Sequence, residues 1–315
     1  MTAETTSNSS LVRTLFDGPL DIVGDVHGEI EPLRALMRRL GYSEDGHHPD
    51  GRRLIFVGDL TDRGPDSPAV VDLVQQLIVS DRAQCVLGNH DLNILLDDEK
   101  HENKWFFGKE FSDDGKVVPQ VLADKAIKER VLSLFRALPI ALERDDLRVV
   151  HACWDDKMIE IARESSKVKR LYEKHLLRIE GSFPDLDLNK IDQGLERQNK
   201  NPVKLLSSGP EERRQKREYA GGKWRYEERV EWWKDYQDTF CVFGHYGLEY
   251  DDAPEDDVKA RGSSSTYCVD FGVGKRWKER RDGKTGQFKW KLAALRWPER
   301  MVVFDDGTPT IALPK

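Results

Sequence analysis

LDIVGDVHGEIEPLRALMRRLGY, residues 20–42, carries two hydrophobic periods one after the other. An apolar run from Leu20 to Val23 breaks at Gly24. Beyond the break, Ile30, Leu33, Leu36, Met37 and Leu40 recur at the spacing of one helical face, and Gly41 supplies a stop. The order is strand, loop, helix. It then repeats: RRLIFVGDL (residues 52–60) is a second apolar run, followed by helical spacing through Val70, Leu73, Val74 and Leu77. QCVLGNHD (84–91) is a third run. Strand–helix–strand–helix–strand builds a parallel sheet with right-handed crossovers.

Working outward, residues 92–145 read as mostly helical with loops, and LRVVHACW (147–154) as a fourth strand. Strand signals return at TFCVFGHYG (239–247), STYCVDFGV (265–273), KLAALRW (291–297) and RMVVFDD (300–306). These last runs are joined by turn-like pieces such as RDGKTGQ, which predicts an antiparallel meander closing a second sheet. Between them, Asp155–Asp238 carries 19 Lys/Arg and 18 Asp/Glu with few apolar anchors. That balance predicts solvated helices, and the stretch is too long for a plain connection. A helical insertion or cap over 155–240 is expected.

Composition narrows the function classes. The 315 residues are 38% hydrophobic and 34% charged, enough for a sizeable core under a very polar surface. A net charge of −7 gives no electrostatic reason to expect a nucleic acid or an anionic membrane as partner. No apolar run approaches the length of a membrane span, and the first residues lack the order of a secretory signal. Cys85, Cys153, Cys241 and Cys268 form no CxxC pair and sit in apolar runs, as reduced, buried thiols of a cytoplasmic protein would.

The strand ends carry the chemistry. The first delivers Asp25 and His27, the second Asp59, Asp62 and Arg63, the third Asn89 and His90. Two later strands deliver His151 and His245. In an open α/β sheet such ends converge on one crevice. Oxygen and imidazole donors without sulfur suit divalent Mn, Fe, Zn or Co better than a structural zinc site. Six ligands exceed what one catalytic metal with open positions needs, and fit two metals sharing a carboxylate. Any one of these motifs alone could be a polar turn or a core histidine; their occurrence in order, each at a strand end, is what argues for a metal site.

GDVHG, GDLTDRG, GNHD, a His after an apolar strand and a later GH together resemble the calcineurin-like metallophosphoesterases. DRG resembles the phosphoprotein-phosphatase branch, and GDLTDRGPDS is similar to its bacterial members. These are the diadenosine tetraphosphatase-like enzymes, the small Ser/Thr phosphatases and the phosphatase domain of polynucleotide kinase-phosphatase. The resemblance implies a single α/β domain over residues 1–315, of two packed mixed β-sheets flanked by helices. It also implies that Asp25, His27 and Asp59 hold one metal, and Asp59, Asn89, His151 and His245 a second, with Asp59 bridging. Manganese is the first choice among Mn, Fe, Zn, Ni, Co and Mg. His90 would be the general acid, Asp62 its orienting carboxylate and Arg63 the phosphate grip. The implied reaction is attack of a metal-bridging hydroxide on a phosphate monoester, in a phosphoprotein or nucleotide. The alternatives are a dinucleoside polyphosphate and, behind it, a phosphodiesterase or nuclease.

Departures from the pattern are Asp91, where the branch carries Glu, and Cys153 and Trp154, where glycines are usual. Gly247 stands where the nuclease-like members have a second His, which argues against that reading. Lys204, Lys223 and Arg225 are candidates for a second phosphate grip. Tyr226, Val230 and Trp233 fall at helical spacing, as core positions of a cap helix would.

Overall fold

The computed structural model of the chain describes residues 10–113, 115–220, 223–247 and 255–314. Strands Val12–Thr14 (β1), Leu20–Val23 (β2), Arg53–Phe56 (β3) and Ala83–Cys85 (β4) open the fold. Helices Ile30–Leu40 (α1) and Ser67–Val79 (α2) cross between β2, β3 and β4, which pair in parallel as predicted. The five apolar residues expected on one face of α1 are the five it buries. α1 ends at Gly41, whose φ of 98° belongs to the left-handed region. Asp66 caps α2 by accepting from the Ala69 N–H at 2.9 Å.

Each of the two main sheets has six strands among the described residues. Ile22, Ile55, Val57 and Val86 of the first meet Leu142, Val149, Val242 and Tyr267 of the second in one apolar layer. Alternate residues Val23, Leu54 and Phe56 face outward and pack with residues of the helices. The architecture is therefore α/β, two mixed sheets face to face with helices outside, as expected.

The meander is a correction. Cys241–Phe243 and Thr266–Cys268 run parallel to each other, and Cys241–Phe243 also runs parallel to Leu147–Val150. A parallel pair needs a long crossover, and the segments after Val150 and Phe243 are long enough to provide one. Ala293–Trp297 pairs antiparallel with β2, and Met301–Phe304 and Ile311–Ala312 follow it. The last strands thus widen the first sheet and do not close the second.

The 155–240 stretch begins with four helices, Asp156–Arg163, Val168–Gly181, Lys190–Lys200 and Pro202–Ser208. It then departs from the helical expectation, because Glu211–Ala220 and Lys223–Arg229 pair as an antiparallel hairpin. Tyr226 lies on that hairpin and Trp233 on the short turn Trp232–Lys234, so they share no helix face. All four cysteines are buried and free. No helix among the described residues is long and apolar enough to cross a membrane.

Candidate metal centre

Five strand ends from the two sheets meet at one place, as the motifs predict. The β2 and β3 ends are tied by Val26 N–H and His27 N–H, both donating to the Asp59 carbonyl at 3.1 and 2.9 Å. Asn89 and His90 are a correction in detail. They do not extend β4 but form the first turn of a helix, Asn89–Leu95 (α3). Its N-terminus is closed by Asp91, which accepts from the Gly88 N–H at 3.2 Å. His27, Asp59, Asp62, Arg63 and His245 all have positive φ, between 48° and 76°. Left-handed backbone in consecutive or bulky non-glycine residues is costly and gathers at functional sites. A Cβ on Gly88 would strike Asp59, and one on Gly244 would strike Asp25, so both positions need glycine for close approach.

The side chains converge on Asp59. Its Oδ2 lies 3.7 Å from His27 Nε2 and 3.4 Å from His151 Nε2. Asn89 Oδ1 lies 3.1 Å from His151 Nε2 and 2.7 Å from His245 Nδ1. Asp25 Oδ2 lies 3.9 Å from His27 Nε2, and both its oxygens accept from the His245 N–H. All six expected ligands are therefore together. Two groups have donor atoms within 4.8 Å of one another: His27, Asp59 and His90, and Asp59, His151 and His245. The first contains His90 in place of the expected Asp25.

The orientation of the rings tests whether these residues suit metal ions. His27 Nδ1 faces the Thr61 carbonyl at 2.9 Å, and His151 Nδ1 faces the Val57 carbonyl at 2.7 Å. A carbonyl only accepts, so each Nδ1 carries a proton and each ring is turned with Nε2 facing Asp59. Metal-ligating histidines are fixed in this way. Donor atoms that share one ion at about 2.1 Å stand about 3 to 3.5 Å apart, close to the separations around Asp59. His245 Nε2 is buried without a hydrogen-bond partner. The donor set fits a pair of divalent ions.

Electrostatics agree. Burial raises the Asp25 carboxyl well above its usual range, and Asp270 beside it pushes the same way. Burial would also raise Asp59, but the neighbouring His151, His90 and His27 hold it well below the usual range. Burial would lower His151, yet Asp59 and then Asp25 bring it up to about 10. Buried carboxylates that force a proton onto a wholly buried imidazole are carboxylates that call for a cation.

A second constellation adjoins the first. His90 Nδ1 donates to Asp62 Oδ2 at 2.7 Å. Arg63 Nη1 and Nη2 point at His27 Nε2 and His90 Nε2, at 2.9 and 3.1 Å, and Arg63 Nε donates to Glu102 Oε2 at 2.7 Å. The expected acid, its carboxylate and the expected phosphate grip thus stand in contact.

Several residues of the site carried no legible role in the sequence. Asp91, unassigned above, accepts from Leu60 N–H and Thr61 Oγ1 at 3.1 and 3.2 Å and so braces the loop that presents Asp59. Glu102 and Trp105 lie outside every motif, and nothing in the sequence marks them. Asp270, just after Thr266–Cys268, had the same signal as Asp25, a carboxylate at a strand end. Among the candidate second cations, Lys204 lies near Asp98 and Glu211, Arg225 is exposed on the hairpin, and the Lys223 side chain lies outside the described residues. Arg229 comes nearer the centre: Nη1 is 3.5 Å from the His245 carbonyl oxygen, and after burial its charge is the largest influence lowering His245.

A family model described as calcineurin-like phosphoesterase matches residues 18–273. The chain is 32% identical over 163 residues to the asymmetrical bis(5'-nucleosyl)-tetraphosphatase PrpE of Geobacillus sp., covering 48% of this chain and 62% of that one. It is 49% identical over 74 residues to the enzyme of the same name from Oceanobacillus iheyensis, covering 22% and 30%. The chain therefore spans less than two thirds of these curated relatives. A solved cold-active protein tyrosine phosphatase shares the fold, with a TM-score of 0.51 and 16% identity over 95% of this chain and 80% of that one.

Proposed function

The chain belongs to the calcineurin-like phosphoesterase family, and on that premise we propose that it is a metal-dependent phosphatase hydrolysing phosphate monoesters. Asp25, His27 and Asp59 hold one divalent ion, and Asp59, Asn89, His151 and His245 the other. Manganese is the first choice, since the donors are oxygen and imidazole without thiolate. When bound, the ions polarise the phosphoryl oxygens and lower the pKa of the attacking water. The observation that carries the reading is the convergence of His27 Nε2 and His151 Nε2 on Asp59 Oδ2, each ring held by a backbone carbonyl.

The chain's own residues do the rest. Arg63 offers two Nη groups to two phosphoryl oxygens, a planar fork that matches the charge developing in the transition state. Glu102 occupies Nε and keeps that fork turned inward. Arg229 is placed to give a further cation from the insertion, which caps the site through Leu206, whose carbonyl accepts from Ala152 N–H at 3.1 Å. As the acid, His90 would give a proton from Nε2 to the leaving oxygen once phosphate draws the Arg63 fork onto itself, while Asp62 keeps the Nδ1 proton and stabilises the ring. Four buried free thiols support a reducing compartment, the cytoplasm.

A second reading, hydrolysis of a dinucleoside polyphosphate, is favoured by the PrpE relatives, which are bis(5'-nucleosyl)-tetraphosphatases. The test is a panel of phosphopeptide, mononucleotide, dinucleoside polyphosphate and bis-aryl phosphate with Mn, Ni, Mg and Zn. Monoester turnover exceeding diester turnover supports the first reading. Turnover dominated by the dinucleoside polyphosphate would replace it with the second, and dominant diester turnover would overturn both.

A further inference from the structure

Trp105 is wholly buried in the short turn Lys104–Phe107, and its Nε1–H donates to Asp62 Oδ1 at 2.7 Å. Asp62 and Arg63 are consecutive non-glycine residues with φ of 76° and 65°. Such backbone persists only where its surroundings over-determine it. The Asp62 N–H donates to Ser67 Oγ at 2.9 Å, and among the described residues the carboxylate is held by Trp105 on Oδ1 and by His90 on Oδ2.

The chemistry of the indole makes this contact directional. An indole N–H only donates, so Asp62 Oδ1 accepts from Trp105 while Oδ2 is the oxygen turned to His90. With one oxygen held by Trp105, the carboxylate cannot rotate to offer His90 a different oxygen or a longer bond. Oδ2 then fixes the His90 ring through Nδ1–H, and Nε2 is left facing Arg63 Nη2 at 3.1 Å, the side where phosphate is gripped. Trp105 is itself well anchored. Its carbonyl accepts from Ala123 N–H at 2.9 Å, and the buried Asn103 closes the preceding loop onto Asp98 and Lys100 at 3.0 and 2.7 Å. Glu102, three residues earlier, holds Arg63 from the same segment.

We infer that Trp105 is a positioning residue of the phosphatase reaction, holding Asp62 so that His90 presents Nε2 to the leaving oxygen. The inference rests on the proposed role of His90 as the acid. It predicts a dependence on the leaving group, because proton donation matters for a poor leaving group and little for a good one. A residue that only filled the core would not discriminate.

The experiment compares the manganese-loaded protein and its Trp105→Phe variant on phenyl phosphate and 2,4-dinitrophenyl phosphate, with metal content measured on both. For Trp105→Phe, kcat on phenyl phosphate is expected to fall about tenfold or more, with a much smaller loss on the dinitrophenyl ester and KM little changed, since a positioned acid contributes roughly 10²–10⁴. Metal content stays the same. Phe106→Leu, a change of core volume in the same turn, moves both substrates alike. In an Asp62→Asn background, Trp105→Phe adds little further discrimination, because the two act in one chain. Where Trp105→Phe does not fold, Trp105→Tyr keeps most of the ring volume, displaces the donor and gives the same discrimination. Equal losses on the two esters, or none, would overturn the inference while leaving the phosphatase reading in place. No turnover of either ester by the unsubstituted protein would overturn that reading and the inference with it.

Discussion

The backbone N–H of His90 donates to Asp59 Oδ1 at 2.8 Å, so the carboxylate common to both ligand groups also fixes the residue proposed as the acid. Asp59 Oδ2 faces the two imidazoles, and Oδ1 faces the first turn of α3. The proposed metal binding and the proposed acid placement thus meet in one side chain. Replacing Asp59 with Asn is therefore expected to lower the content of both ions, whereas Asp25→Ala removes chiefly one. Metal analysis of the purified variants separates these outcomes, and two ions retained by Asp59→Asn would contradict the bridging role.

His90→Ala should behave in the opposite way. The ring leaves the site but Asn89, Asp59 and the other ligands stay, so the ions are kept and kcat falls by about 10²–10⁴ on a poor leaving group. Metal content and turnover measured on the same preparation check this. Unchanged turnover would remove His90 from the acid role.

Asp91 is expected to matter for stability more than for chemistry. It accepts from Leu60 N–H, Gly88 N–H and Thr61 Oγ1, all in a buried setting. Asp91→Ala leaves buried donors without partners, at a cost of about 1–3 kcal/mol for an unsatisfied group. Urea unfolding should show the loss for Ala and a smaller one for Asn, which can still accept through its side-chain oxygen. Equal midpoints for Ala and the unsubstituted protein would contradict the bracing role.

Glu102 gives a pH signature. Burial opposes ionisation, but Arg63 and His90 hold its carboxyl down at about 2, against an ordinary value of 4.5. A folded-state pKa below the unfolded one contributes stability that is complete above about 4.5 and drains away as pH falls toward 2. The stability difference between the unsubstituted protein and Glu102→Gln should be widest above that range and shrink through it. A difference independent of pH across this window would contradict the ion pair.

How much of this was legible follows from what each feature depends on. Asp25, His27, Asp59, Asn89, His151 and His245 sit in short motifs at the ends of apolar runs, and parallel topology alone brings such ends together. The α1 face was legible because its amphipathic spacing is local. The pairing of Ala293–Trp297 with β2 was not, since antiparallel addition at a distant edge leaves no mark in either run. The hairpin from Glu211 to Arg229 is not legible as strand because EERRQKREY has no apolar alternation for a period of two to show. The consecutive Gly221 and Gly222 in the sequence are the available turn signal. Glu102, Trp105 and Arg229 depend on where a polar loop folds back, and sequence spacing carries no information about that.

Asp59 is proposed to anchor a two-ion centre that hydrolyses phosphate monoesters. Titrating the metal-free protein with manganese and following hydrolysis of an aryl monoester tests it most directly. Activity is expected to rise from nothing and saturate at two ions per chain; saturation at one ion, or activity that persists in chelator, would rule out the two-ion centre.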